Sequence, residues 1–84
     1  MIHKATPAFW AGYHSLPEQI QELADKAFAL LKEDSHHPSL HFKKAGRFWS
    51  ARVGLHHRTI GIVLPNGVLW FWIGSHADYD RLIG

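Results

Sequence analysis

The chain has no cysteine, which excludes a disulfide framework and a thiolate metal site. No apolar run approaches the roughly 20 residues that a membrane-spanning helix needs. The first residues lack the charged-then-apolar layout of a secretory signal. The expectation is a soluble cytoplasmic domain with no membrane partner. Eight histidines invite a metal reading, yet no HExxH pattern occurs, and adjacent histidines on a strand point apart. No metal and no cofactor are expected. A glycine-rich phosphate loop and a nucleophile elbow are also missing.

The most informative absence is of acid. Residues 35–77 contain no Asp or Glu, while they hold Lys43, Lys44, Arg47, Arg52 and Arg58 and six of the histidines. The formal net charge is only +2, because Glu18, Glu22, Asp25, Glu33 and Asp34 in residues 1–34 outweigh the lysines there. A cationic, acid-free block over half the chain points to an anionic partner such as a phosphate backbone. The modest net charge argues against an obligate nucleic-acid binder.

What is abundant is aromatic surface. An 84-residue chain buries only roughly 60% of its extended surface, so its core must be dense. Four Trp, five Phe and two Tyr supply that density, at about 150–250 Å² each. The stretch Val68 to Ile73 is apolar, aromatic and too short for a helix. It predicts an interior strand buried on both faces. Gly74 ends it, leaving His76 and Tyr79 just beyond.

The rest of the chain falls around that strand. Ile2 to Ala5 reads as a short first strand. Thr6-Pro7 supplies an N-cap and a first-turn proline for a short helix carrying Phe9, Trp10 and Tyr13. Ser15-Leu16-Pro17-Glu18 matches a capping box ahead of a helix to about Lys32, whose apolar stripe is Ile20, Leu23, Ala24, Ala27, Phe28 and Leu31. The two helices are joined tightly and predict a hairpin. After a loop at His36-His37-Pro38, strands are predicted over Leu40–Lys44, Phe48–Gly54, Thr59–Leu64 and Val68–Ile73, with turns at Ala45-Gly46 and Pro65-Asn66-Gly67. His76 to Leu82 reads as a last helical turn or a tail. The fold class is α+β: one domain over residues 1–84, with a small antiparallel sheet of three to four main strands and an N-terminal helical hairpin on one face. The other face, on the Arg52 side of its strand, is left for a ligand.

Metal-free RNA cleavage needs a base for the 2′-hydroxyl, an acid for the 5′-oxygen and cations for the crowded phosphorane. His41, His76 and Tyr79 are the proton-transfer candidates. Arg58, Arg52, Lys43, Lys44 and Arg47 are the phosphate candidates, and arginine forks suit phosphate oxygens well. Alternation places His41 beside Lys43 and turns Lys44 the other way. Arg58 shares parity with Ile60 and Ile62, which predicts a position just before the strand or at a bulge.

The ordered set Leu16-Pro17-Glu18, His37-Pro38-Ser39-Leu40 before Phe42-Lys43-Lys44, Phe48-Trp49-Ser50-Ala51-Arg52-Val53, His57-Arg58-Thr59-Ile60 and Ile73-Gly74-Ser75-His76-Ala77-Asp78-Tyr79-Asp80 resembles the RelE/ParE toxin superfamily, most closely its RelE-like mRNA interferase group. The resemblance covers nearly the whole chain. It implies a toxin of a type II toxin–antitoxin pair that cuts mRNA on the ribosome without a metal, with a cognate antitoxin as partner in a hetero-oligomer. By position it implies that Arg58 stabilises the transition state and Arg52 contacts phosphate. It makes His76 an acid or base, His41 and Lys43 part of the basic strand, and Tyr79 a terminal aromatic that stacks or orients. His57 stands where tyrosine is common, and the acid-free block leaves His41, His76 or a lysine as the base. The alternative is a non-catalytic binding protein, either a ParE-like gyrase poison or a degenerate homologue that only binds its antitoxin. The His76 and Arg58 pair favours the enzyme. Phe48, Phe71 and Trp10 are read as core first and as a footing for the antitoxin second.

Overall fold

The computed structural model describes residues 1–83. Thr6 opens the first helix as expected: its hydroxyl accepts from the Phe9 amide at 3.1 Å, and Pro7 takes the first helical position. This α1, Pro7–His14, is followed by α2, Glu18–Glu33. The capping box does not form. Ser15 instead closes α1, its amide and hydroxyl both bonding to the Gly12 carbonyl. Pro17 stands at the start of α2 without a side-chain cap. The linker is too short for Ser15 to finish one helix and start the next.

Five strands form one sheet in the order β1-β5-β4-β3-β2. These are β1 Ile2–Ala5, β2 Lys43–Ala45, β3 Phe48–Val53, β4 His57–Leu64 and β5 Gly67–Ser75. The β2 to β5 meander is antiparallel, as predicted. β1 adds a fifth strand, parallel to β5 at the sheet edge, so the sheet is larger than the three to four strands expected. That pairing depends on Gly67, where an added Cβ would lie 1.8 Å from the Ile2 carbonyl oxygen.

A bulge sets the faces of β5. Ile60 lies opposite Trp72 and Gly61 opposite Trp70, so Phe71 is the extra residue. Through this shift Trp70 and Ile73 both reach the hairpin face, while Trp72 and Gly74 turn to the other. Trp70 is buried against Phe28, Phe42 and His3. With Phe9, Ala24, Ala27, Leu31, Leu40, Ala51, Val53 and Val68 it makes the core between the sheet and the two helices. α1 lies over β5 and α2 over β3.

Two local readings change. The expected strand from Leu40 begins only at Lys43, because Pro38–Leu40 closes a 3₁₀ turn. Leu40 anchors that turn in the core, and His41 follows with φ 44 in the left-handed region. The last residues are a two-turn helix, α3 His76–Ile83. Its Tyr79 reaches Ser50 on the face opposite the hairpin.

Candidate functional site

The register of β3 and β4 builds the site. Arg52 pairs with Arg58 and Ser50 with Ile60, while Ser50 also pairs with Lys43 across β2. Directly paired residues share a face, so Lys43, Ser50, Arg52 and Arg58 all lie on the side away from the hairpin. Two arginines opposite each other, with no carboxylate between them, are a destabilising cross-strand pair. The ion pairs among the described residues are His76 with Asp80 and Arg81 with Asp78. None involves this group.

Arg58 is the centre. β4 starts at His57, so Arg58 is a regular strand residue, and the bulge predicted near it lies instead at Ile60/Gly61. Its shared parity with Ile60 is real, but that face is the one covered by α3, not by the hairpin. The residue is only 4% exposed. Its Nη2 donates to Ser50 Oγ at 3.1 Å and to the His41 carbonyl at 3.4 Å, while Nε is buried with no partner. Every partner is neutral. A guanidinium usually keeps its hydration or finds a carboxylate when buried, and Arg58 has neither.

Tyr79 completes the enclosure. Its ring lies under the Arg58 guanidinium at 4.9 Å, and its hydroxyl donates to Ser50 Oγ at 3.2 Å. It is 7% exposed. Across from Arg58 stands Gly74, and there the Trp72 indole occupies the space a side chain would fill, since an added Cβ would come 2.5 Å from its Cζ2.

His41 does not follow strand alternation, because its left-handed backbone lifts it off the end of the 3₁₀ turn. Arg52 beside it, then loss of hydration, then Arg58 and Lys43 hold its pKa below the ordinary histidine value. It therefore stays neutral, with a lone pair open, at neutral pH. His76 begins α3, its amide donating to the His56 carbonyl at 2.8 Å, and the helix is capped by Ser75 Oγ accepting from the Asp78 amide. The His76 ring is exposed, 5.8 Å from the Tyr79 ring and with Nε2 3.4 Å from Asp80 Oδ1.

The structure thus gathers Arg58, Tyr79, His41, Lys43 and Arg52 on one face, with His76 at its rim. It separates the other two phosphate candidates. Lys44 turns to the opposite face, its amine 5.6 Å from the Trp49 ring centre. Arg47 sits in the β2–β3 turn, five residues along β3 from the Arg52 level, or roughly 17 Å at strand spacing. His37 and His41 are four apart in sequence, but they flank a 3₁₀ turn in which His37 Nδ1 accepts from the Ser39 amide. Among the described residues no three metal-binding side chains converge. Ser50 is the residue that sequence reasoning missed. In the stretch Phe48–Val53 the chemistry is read from Arg52, and the role of Ser50 shows only in its position opposite Lys43 and Ile60.

No family model and no curated sequence matches the chain. Solved structures do match. One is the RelB–RelE antitoxin–toxin complex from Methanococcus jannaschii. The chain superimposes on it with TM-score 0.72 at 12% identity, covering 96% of this chain and 99% of that one. Another is a copper-bound mutant toxin from Helicobacter pylori, with TM-score 0.57 at 15% identity, covering 90% of this chain and 94% of that one. At such identities the likeness is one of backbone architecture, and it takes in nearly the whole chain. The chain has the RelE-like toxin fold.

Proposed function

We propose that the chain is the toxin of a type II toxin–antitoxin pair, and that it is an endoribonuclease cutting mRNA on the ribosome without a metal. The observation that carries this reading is Arg58, a buried cation with neutral partners, an unpaired Nε and, among the described residues, no carboxylate within ion-pairing distance. Such a group is a poor structural strut and a good receptor for phosphate. The fold adds support, since a neighbour of known structure is an antitoxin–toxin complex.

His41, held neutral by the cations around it, takes the proton from the 2′-hydroxyl. The freed oxygen attacks the adjacent phosphorus. Charge grows on the phosphorane oxygens, where Arg58, Arg52 and Lys43 oppose it. His76 gives a proton to the departing 5′-oxygen. The products are a 2′,3′-cyclic phosphate and a 5′-hydroxyl. Phosphate reaches Arg58 as the Tyr79 ring moves off it. This gives up a cation–π contact of about 0.5–2 kcal/mol and the Tyr79–Ser50 hydrogen bond for a charge-assisted hydrogen bond of about 1.5–3 kcal/mol, so the two sides are of similar size and bound phosphate opposes closure of the ring over Arg58. The ribosome positions the message, which suits a chain of net charge +2.

A second reading, a protein that binds its target without catalysis, is favoured by one feature: Tyr79 covers Arg58. The two readings separate when the chain is expressed in bacteria and protein and DNA synthesis are pulse-labelled. The nuclease stops translation first, and Arg58→Ala or His76→Ala with an intact circular dichroism spectrum relieves the block. If DNA synthesis stops first, or if His76→Ala is as toxic as the parent, the binding reading replaces it.

A further inference from the structure

Ser50 is fully buried in the middle of β3, and its hydroxyl oxygen is the common acceptor for two groups of the site. Arg58 Nη2 donates to it at 3.1 Å and the Tyr79 hydroxyl at 3.2 Å. A serine oxygen has two acceptor lone pairs, so both are engaged. The other contact of the guanidinium, to the His41 carbonyl, is longer at 3.4 Å. The plane and reach of the Arg58 fork are therefore set mainly by one hydroxyl. The same hydroxyl ties that fork to the aromatic lid on α3.

We infer that Ser50 is the positioning residue of the site. It orients the Arg58 guanidinium toward the phosphodiester and, through its second lone pair, registers α3 over it. This rests on the nuclease reading for its consequence in catalysis, but not for its geometry. When Tyr79 leaves with an arriving phosphate, Ser50 keeps Arg58 in place, so that the cation does not have to be ordered again in the transition state. Preorganised charge of this kind acts on the chemical step more than on substrate binding.

The test compares Ser50→Ala with Ser50→Thr, which keeps the hydroxyl on a β-favouring residue, in the full chain. Proton–nitrogen spectra of the arginine side chains give the first readout, with the Arg58 signal assigned by its loss in Arg58→Lys. The parent shows a slowly exchanging, resolved Nη2 signal. It broadens away in Ser50→Ala, while the backbone amide spectrum keeps the parent's dispersion and the melting temperature falls by roughly 10–15 °C as two buried donors lose their acceptor, and it returns in Ser50→Thr. The second readout is cleavage of mRNA on translating ribosomes. There kcat falls roughly ten- to a hundredfold in Ser50→Ala, the size of one hydrogen bond to a charged group, with KM little changed, and it recovers in Ser50→Thr. An unchanged Arg58 signal in Ser50→Ala overturns the inference, as does a collapse of the amide spectrum, which makes Ser50 a strut of the sheet. If the parent itself cuts no RNA while the spectra behave as stated, the nuclease reading fails and the positioning role stands.

Discussion

Replacing Arg58 by methionine separates a functional cation from a structural one. In most proteins the loss of a deeply buried, hydrogen-bonded side chain is expensive. Here the terms oppose each other. The substitution gives up one good bond to Ser50 Oγ and one long bond to the His41 carbonyl, together about 1.5–3 kcal/mol. It relieves an unpaired buried Nε, worth about 1–3 kcal/mol. It also removes the like charge facing Arg52 across the ladder, worth about 0.2–1 kcal/mol. Methionine keeps most of the volume against the Tyr79 ring and makes a sulfur–aromatic contact there. Over those ranges the net change is within about 2 kcal/mol of zero. For a chain of this size that shifts the melting temperature by no more than about 8–16 °C. The assay is a urea titration of the purified variant, run beside a translation-arrest assay. Arrest activity falls by at least about a hundredfold, since the phosphorane loses its buried cation. A loss of more than about 3 kcal/mol in stability refutes the reasoning, because Arg58 is then a strut holding β4 to the 3₁₀ turn.

Other consequences follow from the same structure. His3 and His57 both have pKa values below the ordinary histidine value, in each case chiefly through burial, and Trp70 Nε1 donates to His3 Nδ1 and occupies the site a second proton needs. The unfolded chain then takes up protons first, so stability is complete above about pH 6.5 and falls as pH drops below it. Urea midpoints at about pH 5 and about pH 7.5 show this slope, and His3→Gln reduces it. Gly67→Ala drives a Cβ into the Ile2 carbonyl and peels β1 from β5, losing at least about 2 kcal/mol through that steric clash. Hydrogen exchange reads this as lost protection at the Ile2 and Thr6 amides, with β3 and β4 unaffected. Trp70→Ala empties the centre of the core, where Trp70 meets Phe28 and Phe42. It lowers stability by about 3–5 kcal/mol, measured by denaturant titration.

Much of this architecture is legible in the chain, because local chemistry and tertiary packing agree over most of it. Thr6-Pro7, the 3.6-residue stripe of α2 and the Pro65-Asn66-Gly67 turn each specify one outcome. The readings that changed are those where an anchor outside the local pattern decides. Leu40 fits a strand by composition, yet the core takes it as the end of a 3₁₀ turn. Ser15 satisfies a capping motif, but α1 consumes its donors first. Arg58 shows the limit for the site. Its parity with Ile60 is readable, and so is the absence of acid around it. That the covered face belongs to α3 depends on Tyr79 finding Ser50, a contact across 29 residues with no trace in spacing. Lys44 and Arg47 belong to the basic block by composition, and the ladder then sends one to the far face and the other to a distant turn.

The chemistry of the cut ends tests the central claim most directly. Ribosomes translating an end-labelled message are incubated with the purified chain, and the fragments are analysed by mass for their termini. The expected fragments carry a 2′,3′-cyclic phosphate on one side and a 5′-hydroxyl on the other, with both absent for Arg58→Ala. An intact message, or fragments ending in 3′-hydroxyl and 5′-phosphate, contradicts the claim.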